Sequence, residues 1–328
     1  MSPDLPPAGP SACDTRALVA DVGGTNTRVA QAGADGIATD SVRRYANAEF
    51  PDLESVLVRY REETGCATPA AACVAVAGPV RDGVGRLTNL DWTFGGPSLA
   101  EATGAGLVAV LNDLQAQGHA LGHLPEGAHR LVVEGHSAPG PQLVVGVGTG
   151  FNAAPVHDGP HGRIVAASEC GHVTLPVRTD EDLRLSRFVA LDHGYPGVED
   201  VLSGRGLGAI DAWLAEETGQ PGRRSSSEIL AAFAAGEPRA REAVAVMVRM
   251  LGRVAGDLAL IHLPYGGLHL IGGMARALTP WFEEFGFAEA FRDKGRFAPL
   301  MAEFRVTVIE DDYAALIGCA RHLSDLAA

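Results

Sequence analysis

The chain has 328 residues, 46% of them apolar and 20% charged, with a formal net charge of −14. This is the balance of a folded globular protein, and at about 150 residues per domain it suggests two domains with a ligand cleft between them. The acidic surplus excludes a general attraction for nucleic acid or an anionic membrane, so any anionic ligand must be held by local features.

Residues 1–15 are proline-rich and lack an apolar h-region, so they read as a disordered tail rather than a signal peptide. Five scattered cysteines without a CxxC pair point to free thiols in a reducing compartment, hence a cytoplasmic location. Ala17 to Ala20 is an apolar run that enters DVGGTN, and Thr27 to Ala32 resumes as a strand, which gives a hairpin with a glycine-rich tip. Pro51 to Thr64 has helical spacing, with Leu53, Val56, Leu57 and Tyr60 on one face. Cys73 to Ala77 and Leu107 to Leu111 read as buried strands, the second ending at Asn112 and Asp113. At Leu143 the pattern restarts: an apolar strand enters GTGFN, and VADVGGTNTRVA from Val19 and VVGVGTGFNAAP from Val144 look like one device used twice, a clamp if the two tips face each other. Helices dominate from Glu181 to Leu263, one starting at Ser203 or Gly204 and another at Pro238. Ala243 to Leu263 is too interrupted, by Arg249, Arg253 and Asp257, to cross a membrane and reads as a buried helix. Leu268 to Ile271 and Arg305 to Ile309 are strands, and Tyr313 to Leu326 is a helix.

Lys294 is the only lysine, and it follows Asp293 rather than a glycine, which excludes a Walker A loop. Phosphate would instead meet backbone N–H groups at Gly23, Gly24, Thr25 and Asn26, and at the second tip, Gly148, Thr149 and Gly150. Without a lysine the charge falls to Mg²⁺, for which Asp21 is the candidate ligand, directly or through water. A tight hairpin turn explains the same glycines equally well. Asp113, at the end of a strand, is the candidate base, although spacing alone favours a helix cap for the segment that starts at Leu114. Glu169 and His172 in ECGH, with Glu199 before LSGRG, are groups suited to hydroxyl-rich ligands. Metal ligation by Cys170 and His172 is disfavoured for want of further ligands. Gly272 and Gly273 suit either an adenine ring lying against backbone or an ordinary strand-to-helix turn.

Taken together, LVADVGGTNTR, LND, GVGTG, ECGH, EDVLSGRGL, IGG and FRDKGRF resemble, in order and spacing, the bacterial glucokinases, from about Leu18 to the C-terminus. The resemblance implies a two-domain actin-like (ribonuclease H-like) α/β fold of the sugar kinase superfamily, in the branch outside the ROK kinases, whose cysteine cluster is absent. It implies a small domain of residues 16–122 plus 313–328 and a large one of 123–312. It also implies Asp113 as catalytic base, and Asn112, Asp113, Glu169, His172 and Glu199 as the residues that hold D-glucose. The two tips become phosphate loops, with Gly272 and Gly273 on the adenine side. The implied enzyme is cytoplasmic, uses ATP and Mg²⁺, and is a homodimer. Three places depart from the family pattern: Phe151-Asn152 where GTGLG is usual, Cys170 where EGGH has a glycine, and Arg276-Ala277 where a proline and an arginine are common. A kinase for another hexose, a sugar sensor that has lost turnover, and an acetate or butyrate kinase are the competing readings. The last is opposed by ECGH and LSGRG, and a DNA-binding repressor by the short segment before the first strand.

Overall fold

The computed structural model describes residues 17–87, 90–136, 138–160, 162–220 and 222–327; the expected tail at 1–15 and Cys13 lie outside the described residues. The chain divides into two compact units, one running to His123 and resuming at Tyr313, the other spanning Leu124–Asp312.

The first unit contains, in chain order, β1 (Ala17–Val22), β2 (Asn26–Gly33), β3 (Gly36–Ile37), β4 (Arg43–Ala46) and α1 (Leu53–Thr64), followed by β5 (Ala71–Val76). The short strands β6 (Val80–Arg81), β7 (Val84–Arg86) and β8 (Thr93–Gly95) form a small sheet of their own, and α2 (Gly96–Thr103), β9 (Leu107–Asn112) and α3 (Asp113–Ala120) complete the N-terminal portion. The main sheet has the order β3-β2-β1-β5-β9, with β4 also on β2. β1 pairs antiparallel with β2 and parallel with β5, which in turn runs parallel to β9. Because strand side chains alternate, each strand feeds two cores. Leu18, Ala20, Val22 and Val74 pack with Leu53, Val56, Leu57 and Tyr60 of α1. Val19, Cys73 and Ala75 pack on the opposite face with Leu316, Cys319 and Leu323 of the C-terminal helix, Ala314–Ala327. Asp52 caps α1 by accepting the Ser55 N–H at 2.8 Å, and Gly65 ends it in the left-handed region.

The second unit holds β10 (His129–Val133), β11 (Gln142–Val147), β12 (Phe151–Gly159), β13 (Gly162–Val165), α4 (Asp180–His193), α5 (Gly204–Glu217), α6 (Ser226–Ala234) and α7 (Pro238–His262). It continues with β14 (Gly267–Ile271), α8 (Gly273–Leu278), α9 (Phe287–Arg292), α10 (Ala298–Met301) and β15 (Val306–Ile309). The sheet order is β10-β15-β14-β11-β12-β13. β11 pairs antiparallel with β12 and parallel with β14, and β14 is parallel to β15, so the unit repeats the plan of the first with one added edge strand. β1 and β11 begin this plan at Ala17 and Gln142, the offset at which the two glycine-tipped strands align in the sequence. α7, 25 residues long, buries Met247, Leu251 and Val254 among the large core of this unit. No helix among the described residues is long and apolar enough to cross a membrane.

Two groups of charges in the second unit tie its elements together. Asp211 on α5 is fully buried between Arg224 and Arg239, which ties α5 to the starts of α6 and α7. Lys294 donates to Asp257 at 2.6 Å and to the Arg253 carbonyl at 2.8 Å, so the lone lysine anchors the FRDKGRF segment to α7.

Candidate active site

The β1–β2 hairpin presents the first glycine tip. The Gly23 N–H donates to the Asn26 carbonyl at 3.0 Å, closing the turn, and a side chain at Gly23 would stand 3.2 Å from that oxygen. The tip is held from behind by Asn47, which the sequence did not mark. Asn47 is buried, donates from Nδ2 to the Gly23 carbonyl at 2.8 Å, and accepts the Thr27 hydroxyl at 2.9 Å. Its own N–H donates to the Thr25 carbonyl at 2.9 Å, leaving Thr25 exposed at the apex. Only the asparagine's distance in sequence from the glycines hid it.

Asp21 sits on β1 directly across from Arg28, whose Nη1 lies 3.4 Å from its carboxylate. Burial raises the Asp21 pKa against the pull of Arg28. β9 ends at Asn112, and here the cap belongs to Asn112: its Oδ1 accepts the Leu114 N–H at 3.0 Å, while Nδ2 donates to the Gly78 carbonyl at 3.0 Å. Gln115 returns the bond to the Asn112 N–H at 3.2 Å. Asp113 is the first residue of α3 rather than its cap, and its Oδ1 also accepts the Leu114 N–H, at 2.9 Å. Burial, reinforced by the Asp21 charge and opposed by the Leu114 N–H and Asn112, raises its pKa from 3.8 to about 7. Two carboxylates close enough to feel each other in a desolvated place, with one guanidinium for company, form a donor set that fits a hydrated cation.

In the second unit the tip between β11 and β12 is closed by the Gly148 N–H donating to the Gly150 carbonyl at 2.9 Å. The Gly204 N–H, at the start of α5, donates to the Gly148 carbonyl at 2.8 Å. That helix start is set by Ser203, which caps the Gly206 N–H at 3.0 Å and donates to the Glu199 carbonyl at 2.8 Å. Glu199 itself accepts the Phe151 N–H at 2.9 Å and Arg205 at 2.8 Å. A Cβ at Gly150 would stand 2.5 Å from the Glu199 carboxylate, so the last loop glycine is also what lets Glu199 approach. The Glu199 N–H donates to the Gly171 carbonyl at 2.8 Å, which brings Glu199 beside the ECGH segment. There Cys170 to His172 form a 3₁₀ turn whose His172 N–H returns to the Glu169 carbonyl at 3.1 Å. Glu169 and His172 are exposed. No group of three or more His, Cys, Asp or Glu side chains able to hold a metal ion occurs among the described residues.

The family departures find local explanations. Phe151 is buried in the core beneath β12, so its bulk is directed away from the loop that precedes it. Cys170 keeps a negative φ and packs half-buried against the same core. Gly171, the glycine that remains, lies directly against the Phe151 carbonyl, where a side chain has no room. Arg276 pairs with Asp312 at 2.5 Å. Gly272 has φ 98°, and a Cβ there would lie 2.5 Å from the Val147 carbonyl, so the turn before α8 requires glycine whatever else it contacts.

Comparison with known proteins places this arrangement. A glucokinase from an Antarctic psychrotroph superposes with a TM-score of 0.85 at 29% identity, covering 95% of this chain and 99% of that one. A ROK family glucokinase from Streptomyces griseus, solved with glucose and AMPPNP, shares the fold at a TM-score of 0.60 and 20% identity, over 93% of this chain and 98% of its own. The fold is therefore the actin-like α/β fold common to glucokinases and ROK sugar kinases. The glucokinase of Chromohalobacter salexigens is 33% identical over 309 residues, 94% of this chain and 97% of that one. With the sequence profile of the Glucokinase family matching residues 18–326, the chain belongs to the glucokinase family.

Proposed function

We propose that the protein transfers the γ-phosphoryl group of ATP to the 6-hydroxyl of D-glucose, giving glucose 6-phosphate and ADP, with Asp113 as the general base. Family membership supports the reaction, and the observation that carries the assignment of the base is the near-neutral pKa of Asp113 at a strand's C-terminal end. A carboxylate of pKa about 7 is both ionised and basic enough, at working pH, to accept the hydroxyl proton as the new P–O bond forms and the bond to the β-phosphate breaks.

Asn112, Glu169, His172 and Glu199 are the residues we assign to the sugar hydroxyls. The backbone of Gly23 to Asn26 and of Gly148 to Gly150 is assigned to the phosphates, and Gly272 and Gly273 to the adenine side. Asp21 would hold Mg²⁺, directly or through water, and the ion would neutralise charge on the phosphates that no lysine meets. The protein's contribution is positioning and fixed N–H dipoles rather than covalent chemistry. We read the enzyme as a cytoplasmic homodimer. The free state of Cys66, Cys73, Cys170 and Cys319 supports a reducing compartment. A small domain of residues 16–122 with 313–328, and a large one of 123–312, remain our proposed functional division. The sensor reading, prompted by the altered GTGFN loop, loses one of its two grounds, because the bulk that Phe151 adds is packed in the core.

The test is a coupled assay for glucose 6-phosphate with ATP, Mg²⁺ and glucose, run beside Asp113→Asn. We expect kcat to fall about 10²- to 10⁴-fold in the variant with glucose still bound. Equal turnover by both proteins removes Asp113 as base, and wild-type kcat/KM higher for mannose or fructose than for glucose moves the reading to another hexose.

A further inference from the structure

Asn152 and Cys170, two of the places where the chain departs from the family pattern, touch each other. Asn152 is the second residue of β12, opposite Gly146 of β11, and its side chain leaves the strand towards the segment that precedes the 3₁₀ turn. One amide there bonds three consecutive residues. Nδ2 donates to the Ser168 carbonyl at 2.5 Å and to Glu169 Oε2 at 3.3 Å. Oδ1 accepts the Cys170 N–H at 3.0 Å, the Ser168 hydroxyl at 3.1 Å and the Cys170 thiol at 3.4 Å. The neighbouring residue does the equivalent for the other carboxylate, since the Phe151 N–H donates to Glu199 at 2.9 Å. The two residues that follow the second glycine tip thus each hold one carboxylate assigned to the sugar.

We propose that Asn152 is a positioning residue for sugar recognition: its amide fixes the Ser168–Cys170 backbone and orients the Glu169 carboxylate for a sugar hydroxyl. The proposal rests on the assignment of Glu169 to the sugar made above. A glycine at position 152 has no side chain to make these bonds, and Glu169, exposed and uncapped, would then sample several rotamers. Fixing it in advance removes that ordering cost from sugar binding. Its side-chain bonds to other segments run to Ser168–Cys170, so the effect is expected on sugar binding rather than on ATP.

The experiment is a double-mutant cycle of Asn152→Ala and Glu169→Ala, with kcat and the KM for glucose and for ATP measured in each protein and its Tm recorded. We expect Asn152→Ala to raise the glucose KM roughly tenfold, as loss of a bond to a charged group does, with the ATP KM and kcat nearly unchanged. In the Glu169→Ala background the same change should add less than about twofold. Asn152→Asp keeps an acceptor for the Cys170 N–H and loses the donor to both the Ser168 carbonyl and Glu169, setting a second carboxylate beside the first. It should therefore bind glucose at least as weakly as Asn152→Ala. An unchanged glucose KM in Asn152→Ala, additive effects in the cycle, a parallel rise of both KM values with a fall in Tm, or wild-type glucose affinity in Asn152→Asp overturns the proposal. If Glu169→Ala alone leaves the glucose KM unchanged, the assignment of Glu169 falls and this proposal falls with it. Failure at Asn152 with Glu169 still essential leaves that assignment standing.

Discussion

Between pH 4 and 7, Asp113 holds a proton in the folded protein that the unfolded chain has already released, because its pKa is raised from 3.8 to about 7. Over that window the folded state binds more protons than the unfolded one, so this group's contribution to stability falls as pH rises and is lowest above about 7. Asp113→Asn should therefore raise Tm by about a few degrees at pH 8 and leave it nearly unchanged at pH 4, even as turnover collapses. With Asp113 as the proposed base, the same titration should shape the kinetics: kcat/KM for glucose should fall tenfold per unit below a pH of about 7, and an acid limb centred near 4 would remove Asp113 as base. The sequence placed this carboxylate at a strand end but gave it the cap, which the structure assigns to Asn112. Its shifted pKa was not legible, because the burial that raises it and the Asp21 charge that adds to it both come from tertiary packing.

The glycine tips show what a single element needs from its neighbours. Two glycines make a turn possible, but the β1–β2 tip is fixed by Asn47, which bonds both sides of it. Replacing Asn47 by Ala leaves the Gly23 carbonyl and the Thr27 hydroxyl without this partner, at a cost of about 1–3 kcal/mol. The ATP KM should rise several-fold while the glucose KM moves little; equal changes in both would make Asn47 a general fold residue instead. The long elements were legible because apolar periodicity is a local signal: the four spaced residues of α1 are all buried, and Pro238 does begin α7. β3, β4, β6, β7, β8, β10 and β13 were not read. They are two to five residues long, and several are largely exposed, as in β10, where only Val133 is buried, so too little alternation marks them. Glu199 and ECGH were read as neighbours in function, but the bonds that join them through Phe151 and Gly171 depend on strand pairing that no spacing reveals.

At the scale of the whole molecule, the sequence displayed its organisation through the recurrence of strand, glycine turn and strand, and the two sheets share one order around β1 and β11. The added edge strand β10 and the helices α4 to α7 distinguish the second unit, whose core is correspondingly larger. Within it, Asp211 is the buried charge on which three helices converge. Asp211→Asn strands Arg224 and Arg239 and should destabilise the protein by about 3–5 kcal/mol in urea unfolding, without changing either KM in the protein that remains folded. A loss under 1 kcal/mol would mean that Glu237, which also pairs with both arginines, suffices.

The C-terminal helix closes one face of the first unit's sheet, with Leu316, Cys319 and Leu323 packed on Val19, Cys73 and Ala75, and it follows the whole second unit in the chain. On the ribosome this order has a cost. At about 5–20 residues per second, β1 and β5 wait on the order of tens of seconds, with one face bare, for the helix that covers them. The second unit, continuous in sequence, completes its core first. The vulnerable species during synthesis is thus a half-covered N-terminal sheet, and a chaperone that shields apolar strands would be needed most by the part of the protein made earliest.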